Sequence, residues 1–456
     1  MGRNNWQLIF REQFPSNKNY FIIFSLLFSF RCKKSALEFV AVPFSLQENR
    51  FVVVITYFNY LWDIDGISAG SAIKAKEFIA ALNRAGHTAH LEWRSPQPNA
   101  QPTLSDKIRA GLKPKLQRYL HEPKRLARNA PHLWQEYFIL KRQKPDVLFN
   151  RLELYYFSGL WLSRWLNLPL VVEADCPPVY EHVTFYGKNC LHLGPLPTRI
   201  ELANLRAADA VIVISNVLKK YYVETGIPAE KMHVIANAAD PQKFRPTPKD
   251  RELAEKYGLA DKTVVGWIGS LVGWSGIESL TDAARHILQT RPNVCLMMVG
   301  GGKNQEFFRE QLQTGDHADR VILPGTVPHS DVPRYLSCMD VVLAPYPKLD
   351  FWYASSMKIF EYMAAGKTVL ATDVGQVGEI IEDGVNGFLF DPDQNGQLRE
   401  KIVTLVDLPE ARQRLGAQAR RDIEQKWNWD NNAKKMIEIF EDVLQRRRRF
   451  RKSAPN

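Results

Sequence analysis

The sequence predicts an α/β protein of two doubly wound domains. Three observations carry that expectation. The chain has 456 residues, 45% of them hydrophobic, which suffices for two cores of the usual ~100 to 200 residues each. Short β-branched apolar runs alternate with stretches whose apolar residues recur at helical spacing, the pattern of parallel strands joined by helices. The pattern breaks over the polar, proline-containing residues 241–262 and starts again at Val264. The expected organisation is therefore an N-terminal domain over 50–240, a linker over 241–262, a C-terminal domain over 263–426, a further amphipathic helix over 427–445 and a basic tail over 446–456.

Residues 1–49 are read as an irregular extension or a misassigned start. Tyr20 to Phe30 is apolar, but eleven residues fall short of the roughly 20 that span a bilayer as a helix. From Phe51 the pattern is regular. Phe51 to Ile55 predicts a buried strand, a polar loop runs to Gly70, and Ala75, Phe78, Ile79 and Leu82 mark the apolar face of a helix that ends at Gly86. Asp63 and Asp65, one residue apart after a strand, have the chemistry to hold a divalent cation. Asp at that place also serves as turn and cap chemistry, so no metal site is expected.

Between Ser105 and Lys144 eleven basic residues, among them Lys107, Arg128, Lys141 and Arg142, face only Asp106, Glu122 and Glu136. Apolar and aromatic residues such as Tyr119, Trp134 and Phe138 are interleaved, so broken amphipathic helices are expected, with Pro114, Pro123 and Pro131 as interrupters. A solvated helical face and a surface resting on anionic lipid both fit this composition. The formal charge of +11 favours anionic surfaces in general; the partner expected here is a membrane face, not nucleic acid. Five cysteines lie far apart without a CxxC pair, which fits a reducing cytosol better than a disulfide framework.

Asp146 to Phe149 and Leu170 to Val172 read as parallel neighbours, each introduced by a proline. Arg151 after the first, with Glu173 and Asp175 after the second, should project from the carboxyl edge of the sheet, where open α/β sheets bind ligands. Each is a candidate to position an acceptor hydroxyl or act as its base. Ala207 to Ser215 and Val234 to Asp240 close this domain. In the second domain Val264 to Gly269 begins the pattern, Ile277 to Thr290 is helical, and Val294 to Val299 runs into Gly300-Gly301-Gly302-Lys303, whose spacing is not that of a P-loop.

Val341 to Ala344, closed by Pro345, predicts a strand that feeds a loop and then a helix. Ser355 or Ser356 is placed to cap that helix, Ile359, Phe360 and Met363 form its apolar stripe, and Gly366 stands at its left-handed end. Free N–H groups at such an N-terminus favour phosphate. Lys358 and Glu361, three residues apart, share one side of the helix. A cation near phosphate and a carboxylate for ribose hydroxyls make a nucleoside diphosphate site; an ordinary exposed ion pair is the plainer reading of the spacing alone.

That stretch, followed by Val369 to Thr372, Glu379-Ile380-Ile381 and Asp383 to Leu389, resembles the donor half of family 4 glycosyltransferases. Those are retaining enzymes of the GT-B fold, two Rossmann-like domains around a cleft. Ala236-Asn237-Ala238-Ala239-Asp240 resembles the family's hinge entry, with its Asn and Asp kept. Gly70 matches the second glycine of the family's first loop, where Ala69 replaces the first. The resemblance covers about residues 50–445 and implies that the last helix crosses back onto the N-terminal domain. It departs at Ser270 to Gly276, which lacks the usual Arg and Lys, and at Tyr353, which stands where the family has its first carboxylate.

The resemblance implies a sugar nucleotide as co-substrate with no other cofactor and a glycan or lipid-linked acceptor; with the cysteine pattern and the basic, aromatic segment, a cytoplasmic enzyme peripheral to the inner face of the membrane is expected. The catalytic residues expected are Lys358, Asp175 and Arg151. Donor binding is expected from Gly70, Gly269, Ser270, Ser275, Ser355, Ser356, Met357, Lys358 and Glu361. An epimerase or phosphorylase on the same scaffold, or a non-catalytic sugar-nucleotide-binding subunit, is the alternative.

Overall fold

The computed structural model describes residues 52–61, 69–94, 114–187, 190–271, 276, 278–302, 305–313, 315–394 and 396–453. The expectations for residues 1–49, for Asp63 and Asp65, for Ser105 to Lys113 and for Ser275 lie outside them.

In the N-terminal half β1 (Val54–Asn59), β2 (Thr88–Trp93), β3 (Val147–Arg151), β4 (Leu170–Ala174), β5 (Ala210–Val213) and β6 (Met232–Val234) form a parallel sheet in the order β2-β1-β3-β4-β5-β6. Its helices are α1 (Ala69–Arg84), α2 (Pro114–Ala127), α3 (Asn129–Gln143), α4 (Ser158–Leu166), α5 (Pro178–Tyr186), α6 (Leu196–Ala207) and α7 (Asn216–Glu224). β3, β4 and β5 are buried at every residue, as near-continuous apolar strands covered on both faces must be.

Three local expectations need correction. The first strand is Val54–Asn59, not Phe51 to Ile55. Tyr57 is in register with Leu91 on one side and Phe149 on the other, so the buried polar residues Thr56 and Asn59 are ladder members, not the start of a loop. Arg151 and Glu173 lie within β3 and β4 and not beyond them. Pro123 sits inside α2 and does not interrupt it.

In the C-terminal half β7 (Thr263–Ile268), β8 (Val294–Val299), β9 (Val321–Gly325), β10 (Val341–Ala344), β11 (Thr368–Thr372) and β12 (Phe388–Phe390) form a second parallel sheet in the order β12-β11-β10-β7-β8-β9. Its helices are α8 (Arg251–Tyr257), α9 (Glu278–Thr290), α10 (Gln305–Leu312), α11 (Val332–Cys338), α12 (Met357–Ala364), α13 (Val377–Ile380), α14 (Gln397–Asp407) and α15 (Pro409–Gln425). The segment read as a linker therefore holds a helix. Leu253, Ala254 and Leu259 pack into the core with Val264, Leu336 and Met339, and Asp250 caps α8 by accepting from the Leu253 N–H at 3.0 Å.

The last helix, α16 (Trp429–Ser453), returns to the first half. Trp429, Ala433, Met436, Phe440 and Val443, spaced by four, three, four and three, enter the core formed by β1, β3 and α1. The Phe440 ring lies 5.9 Å from Phe149, and Trp429 meets Phe78 edge-on at 6.4 Å. The chain thus passes twice between the halves, and the passing segments are tied together. The Ala239 N–H donates to the Trp427 carbonyl at 3.2 Å, and Asn432 Nδ2 donates to the Ala236 carbonyl at 2.8 Å.

Both strand orders reverse once, between β1 and β3 and between β7 and β10. The loops leaving such a pair run to opposite faces and open a crevice at the carboxyl ends of the strands.

Candidate functional site

Lys358 stands at the second crevice. It is the second residue of α12, and its ammonium lies 4.3 Å from the ring centroid of Trp267 on β7 and 5.9 Å from that of Tyr346, which follows β10. Both rings present faces that attract a cation. Lys358 makes no hydrogen bond or ion pair with any described residue, and burial lowers its pKa to about 7 although Glu361 pulls the other way. A lysine desolvated in this way, with no ion pair among the described residues, would be stabilised in its charged form by a further negative charge beside it.

The surrounding residues explain how it is held. The Tyr362 hydroxyl accepts from the Ile268 N–H at 2.7 Å and donates to the Ile268 carbonyl at 3.1 Å, tying α12 to the end of β7. Gly269 follows with φ of 154°, and a Cβ there would stand 2.5 Å from Lys358 Nζ. Only glycine leaves the ammonium its place. Ser270 is exposed beside it.

The two serines expected to cap α12 do other things. Ser356 occupies the N-cap position, but its hydroxyl bonds the Tyr346 hydroxyl and not a backbone N–H. Ser355 is buried. Its hydroxyl accepts from the Asn237 N–H at 2.9 Å, and its carbonyl accepts from Asn237 Nδ2 at 2.6 Å. That side chain serves the junction between the halves, while the first N–H groups of α12 keep no side-chain cap. Met357 packs against the N-terminal core, and a Cβ on Gly70 would lie 3.9 Å from its sulfur. The N-termini of α1 and α12 therefore meet across the cleft, and each is the positive end of a helix dipole.

Glu361 lies one turn on. It is nearly buried, and its Oε1 accepts from His329 Nε2 at 2.7 Å. Its other oxygen has no partner among the described residues.

Arg151 and Asp175 have a different setting. Arg151 bonds one oxygen of Asp175, Lys74 of α1 bonds the other, and Lys74 also pairs with Glu173 at 2.8 Å. The Tyr57 hydroxyl donates to Glu173 and accepts from Asn59 Nδ2 at 3.1 Å. Burial alone would raise the Asp175 pKa, but Lys74 and Arg151 hold its carboxyl below the usual range. A carboxylate so placed is a weak base. The three strand-end charges expected to project into the cleft are thus neutralised within the domain.

Tyr353 turns away from its own domain. Its hydroxyl donates to Glu181 of α5, and its carbonyl accepts from Ser215 Oγ at 2.7 Å. Phe351 meets Tyr180 edge-on at 4.9 Å and lies tilted against Tyr221 at 4.9 Å, both from the N-terminal half. Gln376 Nε2 reaches the Ile214 carbonyl at 2.6 Å. Trp267, Tyr346, His329 and Glu181 were not legible as site residues, because their roles come from contacts with residues distant in the chain. No three acidic, histidine or cysteine side chains gather to hold a metal among the described residues.

The basic region forms α2 and α3. Trp134 is 63% exposed and Phe138 62%, with their rings stacked 6.3 Å apart and Lys141 and Arg142 on the next turn. No helix among the described residues is long and apolar enough to cross a membrane.

Two family models match. One described as Glycosyltransferase Family 4 covers residues 69–243, and one described as Glycosyl transferases group 1 covers residues 262–407. Alpha-D-kanosaminyltransferase of Streptomyces kanamyceticus is 27% identical over 269 residues, 58% of this chain and 68% of that protein. A GDP-mannose-dependent alpha-(1-6)-phosphatidylinositol monomannoside mannosyltransferase of Mycobacterium tuberculosis is 24% identical over 236 residues, 51% of this chain and 61% of that protein. The matched stretches span between 52% and 78% of such curated relatives. The crystal structure of Anabaena Alr3699/HepE in complex with UDP aligns with a TM-score of 0.62 at 20% identity, covering 85% of this chain and 100% of that one. The scaffold is the two-domain GT-B fold.

Proposed function

We propose, for a chain that carries both glycosyltransferase family regions on a GT-B scaffold, that it moves a sugar from a nucleoside diphosphate donor to a glycan or lipid-linked acceptor, with retention of configuration. The observation that supports this reading best is Lys358, a half-buried cation without a described partner, at the crevice between β7 and β10 and on the first turn of an uncapped helix. Breaking the bond between the sugar and the diphosphate leaves about two negative charges on the departing group, while a helix terminus alone contributes roughly 0.3 to 1 kcal/mol toward a surface anion. Lys358 supplies the missing charge, in a site where preorganised charge counts for more than in water. It takes the part that a metal ion plays as a Lewis acid elsewhere, so the reaction proceeds without one. Glu361 receives the ribose hydroxyls on its free oxygen. Ser270, Ser356, Met357 and Gly70 bound the space where the diphosphate sits, and Gly269 keeps the ammonium within reach of it.

The experiment is transfer from radiolabelled UDP-, GDP- and ADP-sugars by the purified chain, with and without EDTA, with the anomeric configuration of the product read by NMR. The absence of both transfer and hydrolysis with every donor would refute the enzyme reading. An inverted product would refute retention, and loss of turnover in EDTA would refute metal independence.

Peripheral membrane association is part of the same reading. Trp134 and Phe138 expose aromatic area beside Lys141 and Arg142, a combination that suits the headgroup region of an anionic bilayer. A lipid-linked acceptor presented there would enter the cleft from the N-terminal side.

A further inference from the structure

Glu361 does not hold its position alone. His329, from the loop between β9 and α11, donates through Nε2 to Glu361 Oε1 at 2.7 Å, and Lys243 Nζ approaches the other ring nitrogen, Nδ1, at 3.2 Å. Lysine has donors only. Nδ1 must therefore accept, which leaves the hydrogen on Nε2, where it points at the carboxylate. Lys243 in turn reaches Glu77 Oε1 of α1 at 3.4 Å. The chain of contacts runs Glu77, Lys243, His329, Glu361, starting in the N-terminal half, passing through the segment after the hinge and ending on α12. The imidazole is held besides by the Phe244 ring, 5.6 Å away between centroids.

We infer that His329, with its tautomer set by Lys243, is a positioning residue for the nucleoside part of the donor. It occupies one oxygen of Glu361, fixes the side-chain rotamer and leaves the second oxygen to accept from the ribose hydroxyls. A free glutamate would have to lose its rotamer freedom on binding, at the expense of affinity; here that freedom is already lost. This inference rests on the reading of Glu361 as the ribose acceptor.

The test uses the full chain and isothermal titration with UDP, GDP, ADP and CDP, then with the 2′,3′-dideoxy form of whichever binds tightest. His329→Phe keeps a ring against Phe244 and removes the donor; His329→Gln restores an N–H at about the same reach. We expect His329→Phe to weaken the ribose form about tenfold, the scale of one charge-assisted hydrogen bond, and the dideoxy form by less than about twofold. His329→Gln should recover most of the loss. Equal weakening of both forms, or of neither, would overturn the inference, because a structural residue has no reason to distinguish the sugars. Glu361→Ala separates the two levels. If it abolishes the preference for ribose while His329→Phe does not, the positioning role fails alone. If Glu361→Ala leaves the preference intact, or the wild type binds none of the four diphosphates, the donor reading fails and takes this inference with it.

Discussion

At the carboxyl edge of the N-terminal sheet the two cations and two carboxylates, Lys74, Arg151, Glu173 and Asp175, neutralise one another. At the same edge of the C-terminal sheet, Lys358 has only aromatic faces and a carboxylate three residues away, and no ion pair among the described residues. Both sheets reverse their strand order at this edge, so topology offers a ligand crevice in each. The difference lies in charge. Buried charges that already balance one another have little left for a charged ligand, whereas an unpaired cation at partial burial is a cost to the free protein that an anion relieves.

The largest effect expected is on the satisfied side. Asp175→Ala leaves Lys74 and Arg151 buried without the carboxylate they share, and breaking such a cluster costs about 3 to 5 kcal/mol. Urea unfolding measures it. A loss well under about 1 kcal/mol would mean that the cluster is hydrated and open, and the contrast between the two edges would collapse.

Lys358→Met should do the opposite, lowering turnover by about 10²-fold or more while leaving the fold intact. The sign of its effect on stability follows from linkage. The folded pKa of about 7 lies below the unfolded value of 10.5, so between these the unfolded chain binds more protons and wild-type stability rises with pH. Below about pH 7 the full penalty of a buried charge is present. Lys358→Met should therefore raise the melting temperature most near pH 6 and least near pH 10. A variant melting below the wild type at pH 6 would contradict this. Diphosphate binding should also draw a proton onto Lys358, so wild-type affinity declines as pH rises through about 7 and the decline flattens in the variant.

Glu361→Ala tests the neighbouring carboxylate. The loss of charge-assisted bonds to ribose, about 1.5 to 3 kcal/mol, corresponds to roughly ten- to over a hundredfold in donor affinity. Unchanged affinity would move the nucleoside elsewhere in the cleft.

The smallest effect belongs to the aromatic and basic surface of α3. Binding to vesicles should require anionic headgroups, weaken with salt and fall severalfold when Trp134 and Phe138 are both changed to Ser, since each basic residue near the surface adds only about 1 kcal/mol. Equal binding to neutral and anionic vesicles would remove the membrane from the reading.

Strand and helix periodicity was legible wherever burial was continuous, as in Val294 to Val299, which is β8 without a shift of boundary. It failed where a strand carried buried polar residues, as at Thr56 and Asn59, because a single polar side chain looks the same in a ladder as in a turn. That Lys358 and Glu361 share one side of α12 was legible, because helical spacing puts them there. Their partners were not. Nothing near His329 in the sequence marks it as facing a carboxylate 32 residues later, and the serine at 356 fits a capping rule that the nearby Tyr346 hydroxyl overrides.

The sequence by itself determined the alternation of strands and helices, the division into two halves and the helix that carries Lys358 and Glu361. These depend on periods of two and 3.6 residues and on neighbours within a few positions, which a chain displays directly. Only the tertiary structure decided which charges are spent. Arg151 and Asp175 look as available in the sequence as Lys358 does, until Lys74, 101 residues before Asp175, arrives beside them. Whether a charged side chain serves the fold or a ligand depends on what burial and long-range packing place within about 4 Å of it, and that distance is set by the fold as a whole.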